Sequence, residues 1–297
     1  MNLSIKVDYM NTDVEQLSRN WGNSAMCLDH PWVDTSLLPS SISELESILH
    51  SVPKNKVYVR IPGNTPDVNK LPIETGTPGE LQQRLQEGPL HVLGNNLHKV
   101  SIPFQEFLNA FLEKISPVLA HHGVKDSIEA SVVVFLSSPN SIVPYHGDPE
   151  HNFLFHLFGT KKFHIFPNND LKLYPSIYRD KLFRDREHIM PYNDDFQNKA
   201  TTFNLKPGMA TYQPPMAPHW VVAGDSIAVS LAISVFTSSE ARLRRLHLIN
   251  SYLRQLHIDP LAVGASPWRD NIKNAMATTV QKTIKKCRGR SSIGHYD

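Results

Sequence analysis

The sequence predicts a mainly β protein: a barrel or jelly roll of short strands, flanked by helices on both sides. Three observations carry that prediction. After Gly123 the chain becomes a series of short runs rich in β-branched and aromatic residues, at 131–136, 152–158, 162–166 and 227–236. Turn signals separate them, with Gly159-Thr160 between two runs and Pro207-Gly208 leading into a further strand. On either side of this stretch the apolar residues recur at helical spacing. Short strands punctuated this way pack as closed barrels or jelly rolls, which leave no long edge unpaired.

Residues 1–124 read as a mixed α/β region packing on the barrel. Ser41-Ile42-Ser43-Glu44 is a capping box, and Leu45, Ile48 and Leu49 follow at helical spacing. Residues 57–61 read as a strand stopped by Pro62-Gly63, and 80–86 as a short helix ending at Gly88. The segment 104–120 is an amphipathic helix with Phe104, Phe107, Leu108, Phe111, Leu112 and Ile115 along one stripe. The barrel is expected over 125–237, interrupted at 168–206 by a polar, irregular insertion. Residues 238–297 read as helical. Ser238 or Ser239 can cap a helix carrying Leu243, Leu246, Ile249, Leu253 and Leu256, and Pro267 opens another at its first helical position. This tail either packs within its own chain or forms a homodimer interface.

Composition narrows the function. The formal charge is +2 with 15 histidines neutral, so nucleic acid is not an expected partner. Lys282, Lys285, Lys286, Arg288 and Arg290 cluster at the end and read as a solvated helix terminus. The two cysteines, Cys27 and Cys287, make neither a disulfide framework nor a CxxC zinc site. They are expected as free thiols in a reducing compartment. No signal-peptide core and no run of about 18 apolar residues is present, so a cytoplasmic protein without a membrane partner is expected.

The chemistry centres on Val143-Pro144-Tyr145-His146-Gly147-Asp148. In an extended strand, residues two apart share a face, so His146 and Asp148 can converge on one divalent ion. His219, in Pro214-Pro215-Met216-Ala217-Pro218-His219-Trp220, is the candidate third ligand. It follows a proline-stiffened loop and precedes a strand. Two histidines and one carboxylate form a facial set that leaves positions open for substrate and dioxygen. If the strand runs on without a bulge, Asn152 and Leu154 share the parity of the ligands. After the Gly159-Thr160 turn, Lys161 opens the next strand. Two adjacent strands would then offer a metal end and a cationic end. A dicarboxylate chelating the metal could pair its far carboxylate with Lys161. The bland alternative for Lys161 is an exposed residue beside a hairpin turn.

With these residues in view, YHGDPEHNFLFHLFGTKKFHIFP followed by KPGMATYQPPMAPHW resembles the JmjC/cupin-type iron(II)- and 2-oxoglutarate-dependent oxygenases. The hydroxylase branch that includes the asparaginyl hydroxylase of hypoxia-inducible factor is the most similar. The resemblance covers about residues 125–236 and implies a double-stranded β-helix. It places His146, Asp148 and His219 on the iron ligands and Lys161 on the lysine that binds the far carboxylate of 2-oxoglutarate. Asn152 falls on an asparagine near the keto-acid end. Two positions depart from the pattern. Met209 replaces an acidic residue, and Val143 replaces a threonine that helps hold 2-oxoglutarate. Tyr145, His156 and Ser230 are the candidates to supply the missing hydrogen bond.

The resemblance implies oxidation of a small molecule, amino acid or peptide, coupled to conversion of 2-oxoglutarate to succinate and carbon dioxide. The absence of extended basic stripes argues against chromatin as substrate. Two rival readings remain open in the sequence: a cupin metalloenzyme that does not use 2-oxoglutarate, and a non-catalytic barrel kept for binding. Bland readings suffice elsewhere. His156 is either a pocket residue or a satisfied core histidine. His164 has the opposite parity to Lys161 and belongs on the outer face. His121-His122 end a helix, Trp220 packs on the barrel, and Asp194-Asp195 are solvated.

Overall fold

The structure is a computed structural model that describes residues 3–53, 56–60, 71–72, 79–124, 128–185 and 189–288. The expected strand end at Ile61 and Pro62-Gly63 lies outside the described residues, as do the side chains of the basic cluster from Lys282 onward and of Cys287. In chain order the elements are α1 (Leu3–Asn20), β1 (Met26–Leu28), α2 (Ile42–Ser51), β2 (Val57–Arg60), β3 (Leu71–Pro72), α3 (Glu80–Glu87), β4 (His91–Asn95) and α4 (Ile102–His121). The barrel follows with β5 (Glu129–Ser137), β6 (Ile142–Gly147), β7 (His151–Phe158), β8 (Lys161–Ile165), α5 (Ser176–Asp185), β9 (Thr201–Leu205), β10 (Ala210–Gln213), β11 (Pro218–Ala223) and β12 (Ala228–Phe236). The chain closes with α6 (Ser238–Gln255) and α7 (Pro267–Arg288).

The strands from β5 onward alternate between two antiparallel sheets, except that β8 and β9, consecutive in the chain, pair within one of them. One runs β6-β11-β8-β9, and the other contains the run β10-β7-β12-β5. That interleaving is a double-stranded β-helix. The larger sheet has eight strands because β1 joins one edge and β4, β2 and β3 extend the other. The N-terminal region thus packs on the barrel partly by lengthening its sheet. The sheet then ends in two very short strands, β1 and β3, and short edge strands offer little backbone for pairing with another chain.

Alternation along β7 shows how the sheet is sandwiched. Phe153 and Phe155 point outward into the main apolar core, where Phe107 and Phe111 of α4 meet them edge-on at 4.6 to 5.8 Å between ring centres. Edge-to-face packing of this kind suits the aromatic quadrupole. Asn152, Leu154 and His156 take the other face, toward the second sheet. The α4 stripe read from the sequence is therefore the cover of the large sheet, and its four phenylalanine and isoleucine positions Phe104, Phe107, Phe111 and Ile115 are fully buried.

Three expectations need correction. The insertion is not irregular throughout: it contains α5, a 3-10 turn at Asp194–Lys199 and β9. It is also anchored, because buried Asp180 on α5 accepts bonds from His247 at 2.7 Å and Arg254 at 2.9 Å, both on α6. Second, α6 is capped by Thr237 rather than Ser238 or Ser239. Thr237 has extended backbone, its Oγ1 accepts from the Ser239 amide, and its amide donates to Glu240 at 2.8 Å. Third, β6 and β7 belong to different sheets, as do β7 and β8, so the metal and lysine motifs do not sit on paired neighbours. Among the described residues, no helix is long and apolar enough to cross a membrane.

The crossing from β7 to β8 depends on Gly159. Its φ is +71°, and a Cβ there would lie 2.5 Å from Ile227 O and 2.9 Å from Ala228 Cα. Both obstacles are backbone, so they cannot swing aside. Gly159→Ala is expected to lower the unfolding free energy by about 2–4 kcal/mol, combining backbone strain with overpacking. Urea unfolding of wild type and variant checks this, and a loss below about 0.5 kcal/mol would contradict it.

Candidate metal centre in the barrel

His146 on β6 and His219 on β11 are directly opposed in the antiparallel register. Opposed residues share a face, and their rings lie 4.0 Å apart between centres. Asp148 stands two residues beyond His146, just past the strand end. Its Oδ2 is 3.8 Å from His146 Nε2 and 3.6 Å from His219 Nε2. All three ligand atoms lie within 4.8 Å of one another. A divalent ion with ligand bonds near 2.1 Å holds ligands about 3 Å apart, so each Asp148 separation would have to close by about 0.6 to 0.8 Å. The donor set of two imidazoles and one carboxylate fits a transition metal and leaves coordination positions open.

Each imidazole is braced from behind. His146 Nδ1 is 2.7 Å from Pro144 O, and His219 Nδ1 is 3.1 Å from Ala217 O. Both carbonyls lie two residues upstream and can accept from an Nδ1–H, the tautomer that leaves Nε2 for the metal side. The loop between β10 and β11 adds two more holds. Met216, at a φ of +61°, donates its amide to Asp148 O at 2.7 Å, and Gln213 reaches His219 Nδ1 at 2.8 Å. A non-glycine residue in left-handed backbone is unusual, and here it fixes the carbonyl of a candidate ligand.

Lys161, Phe163 and Ile165 share one face of β8, and Phe163 meets the His219 ring edge-on at 5.3 Å. Lys161 therefore points into the barrel. It is 6% exposed, and among the described residues it makes no hydrogen bond or ion pair. Burial alone brings its ammonium down to about 7 from the ordinary lysine range. On β11, Lys161 is opposite Ala223 and His219 is opposite Ile165. The two rows are four residues apart, about 13 Å along the sheet.

His156 completes that end. Its Nδ1 is 2.9 Å from Ser230 Oγ and its Nε2 is 3.0 Å from Gly159 O. The carbonyl must accept, so Nε2 carries the proton and the Ser230 hydroxyl donates to Nδ1. Burial, then the charge of Lys161, pushes His156 down to about 4. It is a neutral, satisfied histidine beside the lysine. Asn152 lies opposite Gln213 on one side and Ser234 on the other, in the row across β10, β7 and β12 nearest the ligands.

Tyr145 is not brought into this group. A bulge in the β6–β11 register lets His146 face His219 and Val143 face Val221, so Val143 and His146 share the inner face while Tyr145 turns outward. There its hydroxyl donates to Leu173 O at 3.0 Å and its ring packs with Phe166 and Tyr192. The expected contribution of Tyr145 to co-substrate binding is corrected on that geometry. His164 lies on the outer face of β8, stacked 4.0 Å from Trp220 and bonded to Thr202.

Sequence reasoning passed over three residues. Gly147 is required because a Cβ there would sit 2.3 Å from Cε1 of Tyr174, which covers the outer face of β6. Glu150 accepts from Ser234 Oγ at 3.1 Å, while its Oε2 is enclosed without a partner. Burial, then the Asp148 charge, pushes the Glu150 carboxyl up to about 8. Its signal was a second carboxylate two residues after Asp148. Gln213 carried no signal, since nothing in sequence links it to His219. Outside the ligand loop, a cavity of about 550 Å³ lies between the barrel, α5 and α6, lined by Trp21, His151, Arg179, Met216, Glu240 and His247 among others. None of the three candidate ligands lines it.

No protein-family model matches the chain, and no curated protein matches it by sequence. Solved structures match by shape. YcfD from E. coli superposes with a TM-score of 0.52 at 17% identity, covering 90% of this chain and 67% of that one. A second structure, of the Escherichia coli ribosomal oxygenase YcfD, gives 0.50 at 16% identity, with 90% and 65% covered. A third, of YcfD in complex with cobalt and 2-oxoglutarate, gives 0.50 at 16%, again with 90% and 65% covered. The chain thus spans about two thirds of the length of these structures. With its interleaved sheets and its inward histidines and aspartate, the chain has the double-stranded β-helix fold of the YcfD ribosomal oxygenase.

Proposed function

We propose that this chain is an iron(II)- and 2-oxoglutarate-dependent oxygenase of the JmjC type, acting on a small molecule, an amino acid or a peptide side chain. One observation carries the reading. A buried lysine that has no counter-charge among the described residues points into the same barrel as three candidate metal ligands. An ammonium enclosed this way is costly unless an anion joins it. The gap of about 13 Å between the two rows suits an extended lysine side chain together with a five-carbon diacid. A cupin enzyme that does not use 2-oxoglutarate has no need of that lysine, and a binding module has no need of the three ligands.

His146, Asp148 and His219 would hold the iron, which when bound supplies oxygen activation at the expense of 2-oxoglutarate. The chain's own residues position and exclude. Lys161 would bind the far carboxylate through a charge-assisted bond. Val143 has no hydroxyl to add, and the Ser230 hydroxyl is engaged by His156, so the lysine carries most of the recognition at that end. Phe163, Leu154 and Ile165 line the barrel with apolar surface and keep water away from the oxidant. His156 stays neutral, which leaves Lys161 as the positive group there. YcfD carries cobalt and 2-oxoglutarate in its complex, in keeping with this assignment. The substrate would be met at the ligand end of the barrel, and the exposed apolar residues Leu256, Trp268, Ile272 and Met276 on and near α6 and α7 suit a homodimer.

Anaerobic iron(II) protein mixed with 2-oxoglutarate is expected to show a weak metal-to-ligand charge-transfer band in the visible. Lys161→Ala should weaken 2-oxoglutarate about 10- to 100-fold, the worth of a hydrogen bond to a charged group. Iron-loaded wild type without a band would sink the 2-oxoglutarate assignment. The affinity should also depend on pH. Binding an anion keeps Lys161 protonated, so the complex holds more protons than the free protein above pH 7, and affinity falls as pH rises. Kd should be flat below about pH 7 and rise toward tenfold per unit above it, while Lys161→Ala shows no such rise. Sedimentation velocity tests the dimer, and a monomer at tens of micromolar would rule it out.

A further inference from the structure

An imidazole that binds a metal through Nε2 must carry its proton on Nδ1. His146 is held to that tautomer by Pro144 O, an atom that accepts and never donates. His219 is placed differently. Besides Ala217 O at 3.1 Å, its Nδ1 meets the side-chain amide of Gln213 at 2.8 Å. Gln213 is 3% exposed, at the end of β10, and its amide nitrogen also lies 3.2 Å from Ala217 O. A glutamine buried this deeply is costly unless its amide is used.

A primary amide has a donor end and an acceptor end, and the two differ in what they require of the ring. With the nitrogen inward, one N–H reaches Ala217 O and the other reaches Nδ1. Nδ1 is then bare, and the proton sits on Nε2, where it blocks a metal. With the amide turned over, Oε1 and Ala217 O share the Nδ1 proton, and the Nε2 lone pair faces Asp148 and His146. The same side chain can therefore oppose or enforce the ligating form.

We propose that Gln213 is a positioning residue of the metal site: its amide turns oxygen-inward when metal binds, selects the Nδ1–H tautomer of His219 and holds the ring against the Pro214–Ala217 loop. This rests on the reading of His146, Asp148 and His219 as a metal centre. Residues bracing a metal-bound imidazole contribute to affinity although they never touch the ion.

Cobalt(II) titrations followed by visible absorption test it on wild type, Gln213→Leu and Gln213→Glu, with thermal unfolding of each metal-free protein alongside. Gln213→Leu keeps the volume and removes both amide ends, so cobalt should bind about 10- to 100-fold more weakly. Gln213→Glu keeps an acceptor and loses the donor, so it should bind within about threefold of wild type, or more tightly. If the leucine variant does not fold, Gln213→Met takes its place. Leucine binding cobalt like wild type would overturn the proposal. So would equal losses in both variants, which is what a packing role predicts. Wild type that takes up no cobalt would overturn the metal reading itself, and this inference with it.

Discussion

The antiparallel pairing of β6 with β11 is the contact on which the site depends. It sets His146 opposite His219, and the turn at Asp148 then brings a carboxylate to the same point. A slip of one residue would send one imidazole to the outer face and break the set. Several features resist such a slip. The bulge in β6 sets the register on either side of it, Tyr174 fills the space above Gly147, and the strained Met216 holds Asp148 O from the β10–β11 loop. Pairing, packing and hydrogen bonding all enforce one alignment.

The interior of the barrel is unusual in the polar groups it encloses. Lys161, His156, Gln213 and Glu150 stand among Leu154, Phe163 and Ile165, and buried polar groups are normally satisfied in place. His156 and Gln213 are. Lys161 has no partner among the described residues, and Glu150 leaves one oxygen without one. Groups left incomplete in an otherwise close-packed interior are where ligands supply the missing partners. Glu150 lies just before β7, near Asp148, and Lys161 opens β8, so the two incomplete groups stand at different places in the barrel.

What surrounds the barrel keeps this interior closed. The α4 aromatics cover the outer face of the large sheet, while α5 and the 3-10 turn cover the small one. Asp180 ties that cover to α6 through His247 and Arg254. Glu240 at the start of α6 caps its own helix and meets His151 at 3.3 Å, joining the C-terminal helices to the ligand end of β7. Burial alone would raise the Glu240 carboxyl. Its bonds from His151 and Thr237 outweigh that and hold it low, so a charged group there is stable.

Much of this was legible in the chain. The period-two runs, the Gly159 turn, the α4 stripe and the parity of His146 with Asp148 are local properties, set by backbone geometry over a few residues. They sufficed for the barrel, for the three candidate ligands that the fold brings together and for the inward lysine. Which sheet each strand joins was not local. β6, β7 and β8 follow one another closely in sequence yet alternate between sheets, because closing a double-stranded β-helix requires pairing with strands some sixty to eighty residues away. Val143 turned inward beside His146 because of a bulge that only the partner strand reveals, while Tyr145, next to His146, takes the outer face by simple alternation. Folding alone puts Gln213 2.8 Å from His219. Sequence by itself determined the types of group available and their local direction. The tertiary structure decided which of them meet, since contacts between distant strands are chosen by packing rather than by spacing along the chain.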